Sequence, residues 1–250
     1  MTATYASVLQ AGLAFAALSA LGSVFVRSPY GRFATPRFGP AVPIRLGWLL
    51  MEAPFVAFYV VFAAGPRALE PVPLLFAGVW TLHYANRALF FPLAMRARPE
   101  GRMALLVVVL GMGVVLTHGW LYATWLGELG SHLTAGWLGD ARFLLGLPLY
   151  LSGFALIVQS EAILRRLRRE RRGYAIPQGG AFRWVSCPHY LGELLAWTGL
   201  ALATWCPGGL FVLAVSAANL VPRAVATHRW YRREMPGYPT GRRALVPRLF

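Results

Sequence analysis

The feature that most constrains this chain is a rhythm of apolar stretches, each close to 20 residues, separated by short segments that hold nearly all of its charge. A helix crossing the hydrocarbon core of a bilayer needs about 20 such residues, because every backbone N–H and C=O must be satisfied inside the segment. The stretches fall at 4–26, 43–65, 72–95, 103–123, 142–164, 188–205 and 208–226. They predict an all-α integral membrane protein, a single domain over 1–250 with seven transmembrane helices. Composition agrees: 13% of residues are charged, against about a quarter in a soluble domain. The first stretch has no basic residue before it and arginines after it, so it reads as a retained helix rather than a cleaved signal.

Loop charge sets the expected orientation. Arg27, Arg32 and Arg37 follow the first stretch, and Arg96, Arg98 and Arg102 follow the third. A dense run from Arg165 to Arg172, with Arg183, follows the fifth, and seven arginines lie from Arg223 onward. The intervening loops hold only Arg67, Glu70, Glu128 and Asp140. Alternate loops are therefore basic, which by the positive-inside rule puts them and the C-terminus in the cytoplasm and the N-terminus outside. Segments 96–102, 165–188 and 227–250 would together form a basic cytoplasmic side. The net charge of +15 is accounted for by these loops and by anionic membrane lipid, so no nucleic-acid partner is expected. All 24 basic residues are arginine. With the Ala, Gly and Pro richness, that reads as a GC-rich bacterial genome and so a bacterial cytoplasmic membrane. Cys187 and Cys206 have neither disulfide nor metal spacing, and no metal site is expected.

Polar groups inside such spans are costly and tend to face the bundle interior. Glu52 sits mid-way along the second stretch, and His83, Tyr84, Asn86 and Arg87 cluster in the third. A carboxylic acid in its neutral form and a phenol both donate hydrogen bonds and can polarise a ketone oxygen. The competing reading is that Glu52 pairs with Arg87 or His83 and pins two helices together.

The basic side differs in kind. The arginine run leads through Tyr174 into IPQGGAFRWVSCPHYLGELLAW, where His189 and Glu193 are four residues apart on one helical face. Guanidinium forks suit phosphate, so a cup of this make-up could hold a nucleotide. Neither a G-x-G-x-x-G nor a P-loop is present. The tail, HRWYRREMPGYPTGRRALVPRLF, interleaves arginine with aromatic residues and reads as ordered and folded back onto that cup.

Four of these segments, MEAP at 51–54, HYANR at 83–87, the block 176–197 and the tail 223–250, together resemble the steroid 5α-reductase family in order and spacing. The resemblance implies an NADPH-dependent membrane enzyme that takes a 3-oxo-Δ4 steroid from the bilayer and reduces its 4,5 double bond. It implies that Glu52 and Tyr84 bind the 3-oxo group. It further implies cofactor contacts at Arg96, Arg98, Glu161, Arg168, Tyr174, His189, Glu193, Tyr231 and Arg242, with His228 as a neighbour. A monomer is expected. Glu161, His189 and Ala175 stand where animal relatives often have aspartate, asparagine and arginine. Three other readings stay open on sequence grounds. One is a reductase of another lipid enone, polyprenal or enoyl thioester. A second is an S-adenosylmethionine-dependent methyltransferase of the isoprenylcysteine type, suggested by Cys187-Pro188-His189-Tyr190. The third, a non-enzyme, is a proton-coupled transporter using the intramembrane carboxylates.

Overall fold

A computed structural model describes residues 1–26, 29–95, 101–170 and 173–250. Five of its helices are long and apolar enough to cross a membrane. The first is α1 (Ala3–Phe25). The second, Ile44–Ala63, joins α2 (Ile44–Glu52) to α3 (Ala57–Ala63) through a 3-10 turn. The third, Leu105–Leu129, is α6 (Leu105–Thr124) continued by a π-helical end. The last two are α7 (Ala141–Glu170) and α9 (Gly208–Glu234).

The other two predicted stretches are also helical. One runs through α4 (Pro71–Tyr84), a π-helical stretch at Ala85–Phe90 and α5 (Phe91–Ala94). His83, Asn86 and Arg87 dilute its apolar character. The other, α8 (Pro188–Thr204), has 17 residues. At 1.5 Å per residue it is about 26 Å long, slightly short of a hydrocarbon core of about 30 Å. Two departures from the all-α expectation stand out. A two-stranded antiparallel sheet pairs β1 (Ala41–Pro43) with β2 (Arg102–Ala104). Helices α7 and α9 also run past their apolar stretches, to Glu170 and Glu234. Arginine, leucine and glutamate are good helix formers, so the backbone continues where the apolar pattern stops.

Lipid-facing character is written on the surface. Leu18, Leu21, Val60, Leu93, Val109, Leu145 and Leu210 are all exposed, a distribution that water would penalise. Inside, the closest packing is the antiparallel pair α7–α8. Gly146 and Gly153 on α7 meet Gly199 and Gly192 on α8, each pair seven residues apart. A Cβ on Gly153 would lie 2.5 Å from the Ala196 nitrogen and 2.6 Å from the Gly192 oxygen. Only glycine permits that approach, and dispersion between bare backbones holds helices together where lipid supplies no hydrophobic drive. The main core is a stack of rings: Phe58 on Trp80 at 4.5 Å, then Trp80 on Tyr84 at 4.3 Å.

Candidate active site

Two helix irregularities build the interior of the site. Pro54 follows Glu52 closely, has no N–H to give, and its ring crowds the carbonyl four residues back. The chain tightens into a 3-10 turn at Ala53–Val56 immediately after Glu52. On the facing helix, Tyr84 is the last α-helical residue before the π-helical stretch that carries Asn86 and Arg87. A wide turn of this kind rotates the side chains beyond it and recurs at functional positions.

These two devices bring Glu52, Arg87 and Glu193 together. The Arg87 Nε donates to Glu52 Oε1 at 2.9 Å, and its Nη1 donates to Glu193 Oε1 at 2.5 Å. Both glutamates are almost wholly buried, with side chains 5% and 7% exposed, so in this low-dielectric setting each bond counts for more than it would in water. Trp48 covers the guanidinium at 4.8 Å. Glu161 joins from α7: it is buried, lies within reach of the Asn86 amide, and its Oε2 is 3.8 Å from Arg165 Nη1. Of the two sequence readings of Glu52, the pairing with Arg87 is present. It ties three helical segments rather than two.

Tyr84 is 3% exposed and points into the bundle, not into lipid. Phe55 stacks on it at 5.5 Å with planes 4° apart. Its hydroxyl lies 3.5 Å from His118 Nδ1 on α6. His118 sits against Trp80 and Trp197 at 5.0 Å each, and His83 packs on Trp197 at 4.2 Å. The result is a packed aromatic cluster around the Tyr84 phenol.

The basic side is assembled by the tail. Arg243 pairs in parallel with Val185, Ser186 N donates to Arg243 O at 2.8 Å, and Arg243 N donates to Trp184 O at 2.9 Å. The tail therefore folds back onto the segment before α8. Ser186 Oγ is 2.7 Å from His228 Nδ1 and 2.6 Å from Tyr238 Oη. Tyr231 stacks on Tyr238 at 5.3 Å, and Tyr174 meets Trp230 edge-on at 4.9 Å. Burial pushes the Tyr238 phenol up from its ordinary range. Arg242 is 3% exposed, and its Nη2 donates to Gln178 Oε1 at 2.8 Å. Its Nε and Nη1 are buried and take no hydrogen bond within the described residues. Two unsatisfied donors on a buried guanidinium suit a phosphate, so the residues present fit a nucleotide cofactor.

His189 lies in the first turn of α8 with its ring 4.2 Å from Tyr190. Arg168 lies near the end of α7. Arg96 and Arg98 fall outside the described residues. Thus Glu52 and Glu193 are directly bridged with Glu161 beside them, while His228, Tyr231 and Arg242 gather around the tail.

Comparison with known proteins decides the family. The sequence profile described as 3-oxo-5-alpha-steroid 4-dehydrogenase matches residues 101–250. A steroid 5-alpha-reductase of Solanum lycopersicum is 33% identical, covering 90% of this chain and 89% of its own. The Arabidopsis thaliana steroid 5-alpha-reductase is 32% identical, covering 90% and 89%. The 3-oxo-5-alpha-steroid 4-dehydrogenase 1 of Homo sapiens is 32% identical, covering 97% and 96%. The chain belongs to the 3-oxo-5-alpha-steroid 4-dehydrogenase family. It is therefore an oxidoreductase, and its apolar helices fit a multi-pass membrane protein.

Sequence reasoning missed two parts of this candidate site. Arg87 was legible only as a partner for Glu52, not as a bridge to Glu193. His118 was not singled out at all, although a histidine inside an otherwise uncharged span was a usable signal.

Proposed function

We propose that this protein reduces the Δ4,5 double bond of 3-oxo-Δ4 steroids to give 5α-3-oxosteroids, with NADPH as cofactor. The observation that carries the proposal is the Glu52–Arg87–Glu193 bridge, which links a buried acid beside Tyr84 to the helix that starts on the arginine-rich side. NADPH, when bound, supplies the hydride that adds to C5. Charge would then develop on the 3-oxo oxygen, where aimed donors favour the transition state over the ground state, and a proton drawn from solvent would add to C4 to complete the saturated ketone. Tyr84 donates through its hydroxyl. Glu52 donates from Oε2 in its protonated form, while Oε1 accepts from Arg87 and fixes the carboxyl plane. Phe55, Trp80 and Trp197, the apolar rings around Tyr84, are the kind of surface that a flat, apolar ligand with one polar end would contact.

For the cofactor we assign Arg168, Tyr174, His189, Glu193, His228, Tyr231 and Arg242, together with Glu161, Arg96 and Arg98. Arg242 would hold phosphate through Nε and Nη1, and Glu193 would accept from a donor at the inner end of the site. The same reading takes the chain as a monomer with seven spans, its arginine-rich loops and C-terminus cytoplasmic, in a bacterial cytoplasmic membrane. Substrate enters from the bilayer.

The test is incubation of purified protein with NADPH and a panel of Δ4-3-ketosteroids, with products identified by mass spectrometry. The reading predicts nicotinamide oxidation and a product two mass units heavier, with 5α stereochemistry. No steroid-dependent oxidation across the panel would overturn it. Retained S-adenosylmethionine, or ion flux in proteoliposomes without oxidation, would favour the other classes.

A further inference from the structure

Among the described residues, His118 is placed to set the direction of the Tyr84 hydroxyl. Its Nδ1 lies 3.5 Å from Tyr84 Oη, at the outer limit of a hydrogen bond. Such contacts are often long before substrate arrives and tighten in the complex. The imidazole is 1% exposed and walled by Trp80, Tyr122 and Trp197 at ring distances of 5.0, 5.8 and 5.0 Å. It has little room to turn, so the Nδ1 edge stays presented to the phenol.

The chemistry then depends on which nitrogen carries the proton. A phenol has one proton to give. With the proton on Nε2, Nδ1 would accept the Tyr84 O–H and draw it away from a carbonyl. With the proton on Nδ1, the imidazole donates to Tyr84 Oη and leaves the phenolic proton free. A phenol that accepts one hydrogen bond also becomes a better donor of its own.

We propose that His118 is a positioning residue: its Nδ1–H donates to Tyr84 Oη and so directs the Tyr84 hydroxyl at the carbonyl oxygen of the substrate. No bond is made or broken at His118. The proposal rests on the assignment of Tyr84 as the carbonyl donor.

A double-mutant cycle tests it, with His118→Leu, His118→Asn, Tyr84→Phe and the double variant His118→Leu/Tyr84→Phe. Three quantities are read: kcat and the KM for NADPH with a Δ4-3-ketosteroid, and the Kd of that steroid from quenching of tryptophan fluorescence. His118→Leu is expected to lower kcat about tenfold, equivalent to about 1.4 kcal/mol, with the KM for NADPH unchanged. His118→Asn, whose amide N–H can occupy the Nδ1 position, recovers most of that loss. In the Tyr84→Phe background, His118→Leu adds no further loss in kcat or steroid affinity. If His118→Leu loses its melting transition, His118→Phe refills the ring volume and the same cycle is run with it. Equal losses with and without the Tyr84 hydroxyl would overturn the proposal, as would an asparagine variant no better than leucine. An inactive wild type would instead overturn the assigned reaction, so the two failures are distinguishable.

Discussion

Arginines at the two ends of the molecule are satisfied in opposite ways. On the sparsely charged rim, Arg67 spends every nitrogen locally. Its Nε and Nη2 donate to Glu70 at 3.0 and 2.6 Å, Nη1 donates to the Gly130 carbonyl, and Nη2 also donates to Leu133 O at 3.0 Å. Arg142 holds Asp140, its near neighbour in sequence, with both arms and lies over Trp137 at 4.4 Å. Toward the basic side, Arg87 reaches carboxyl groups 35 and 106 residues away, and Arg242 keeps two buried donors unspent among the described residues. A closed arginine pins a loop. We read an arginine left partly open, as Arg242 is, as available to a ligand, and one stretched between distant helices, as Arg87 is, as the frame of the proposed site.

The sharpest way to break that contrast is Arg87→Ala. It strands the buried Glu193 carboxylate and leaves the Glu52 carboxyl without its donor, and losing one partner of a buried ion pair costs about 3–5 kcal/mol. Because the Arg87 side chain keeps 27% exposure, the lower end, about 3 kcal/mol, is expected as a drop in unfolding stability in detergent. An unchanged unfolding midpoint would mean that the bridge does not bind the helices.

Next comes a matched pair. Arg67→Ala is expected to destabilise by about 1–3 kcal/mol by stranding the Gly130 and Leu133 carbonyls, without altering NADPH affinity. Arg242→Ala should do the reverse. The Kd for NADPH rises at least about tenfold, in line with charge-assisted bonds of about 1.5–3 kcal/mol, and unfolding of the nucleotide-free protein is hardly affected. Titration calorimetry and thermal melting of the two variants separate these outcomes. Should both lose stability alike, the distinction between closed and open arginines fails.

The smallest effect belongs to Asp140. Hydrogen bonds from Arg142 hold its carboxyl down at about 2, below the usual value near 3.8. A depressed folded-state value contributes stability that is complete above about 3.8 and lost as pH falls through about 2. Asp140→Asn should therefore melt slightly below the wild type at pH 6, and the gap should close below pH 3.8. A gap that widened in acid would reverse the sign of this assignment.

How much of this was legible in the sequence divides along the same line. Helix placement was, because a bilayer demands about 20 apolar residues and the arginines punctuate them. The helix ends were not: α7 and α9 continue through arginine-rich turns that hydropathy reads as loop. Glu52 and Tyr84 stood out as polar groups in apolar spans. Their surroundings did not, because the π-helical turn after Tyr84 has no simple residue signature. The Arg87–Glu193 bond also spans a sequence distance over which no periodicity can be read. Composition alone does not part Arg242 from the other six arginines of the tail; folding buries Arg223 and Arg242 and leaves the other five exposed.

The most direct test of the central claim compares turnover with cofactor binding in Glu52→Gln and Tyr84→Phe. If the acid and the phenol grip the substrate carbonyl, steroid-dependent NADPH oxidation falls at least about tenfold in each, the equivalent of about 1.4 kcal/mol in the barrier, while the Kd for NADPH holds. Undiminished turnover in both variants would contradict the account.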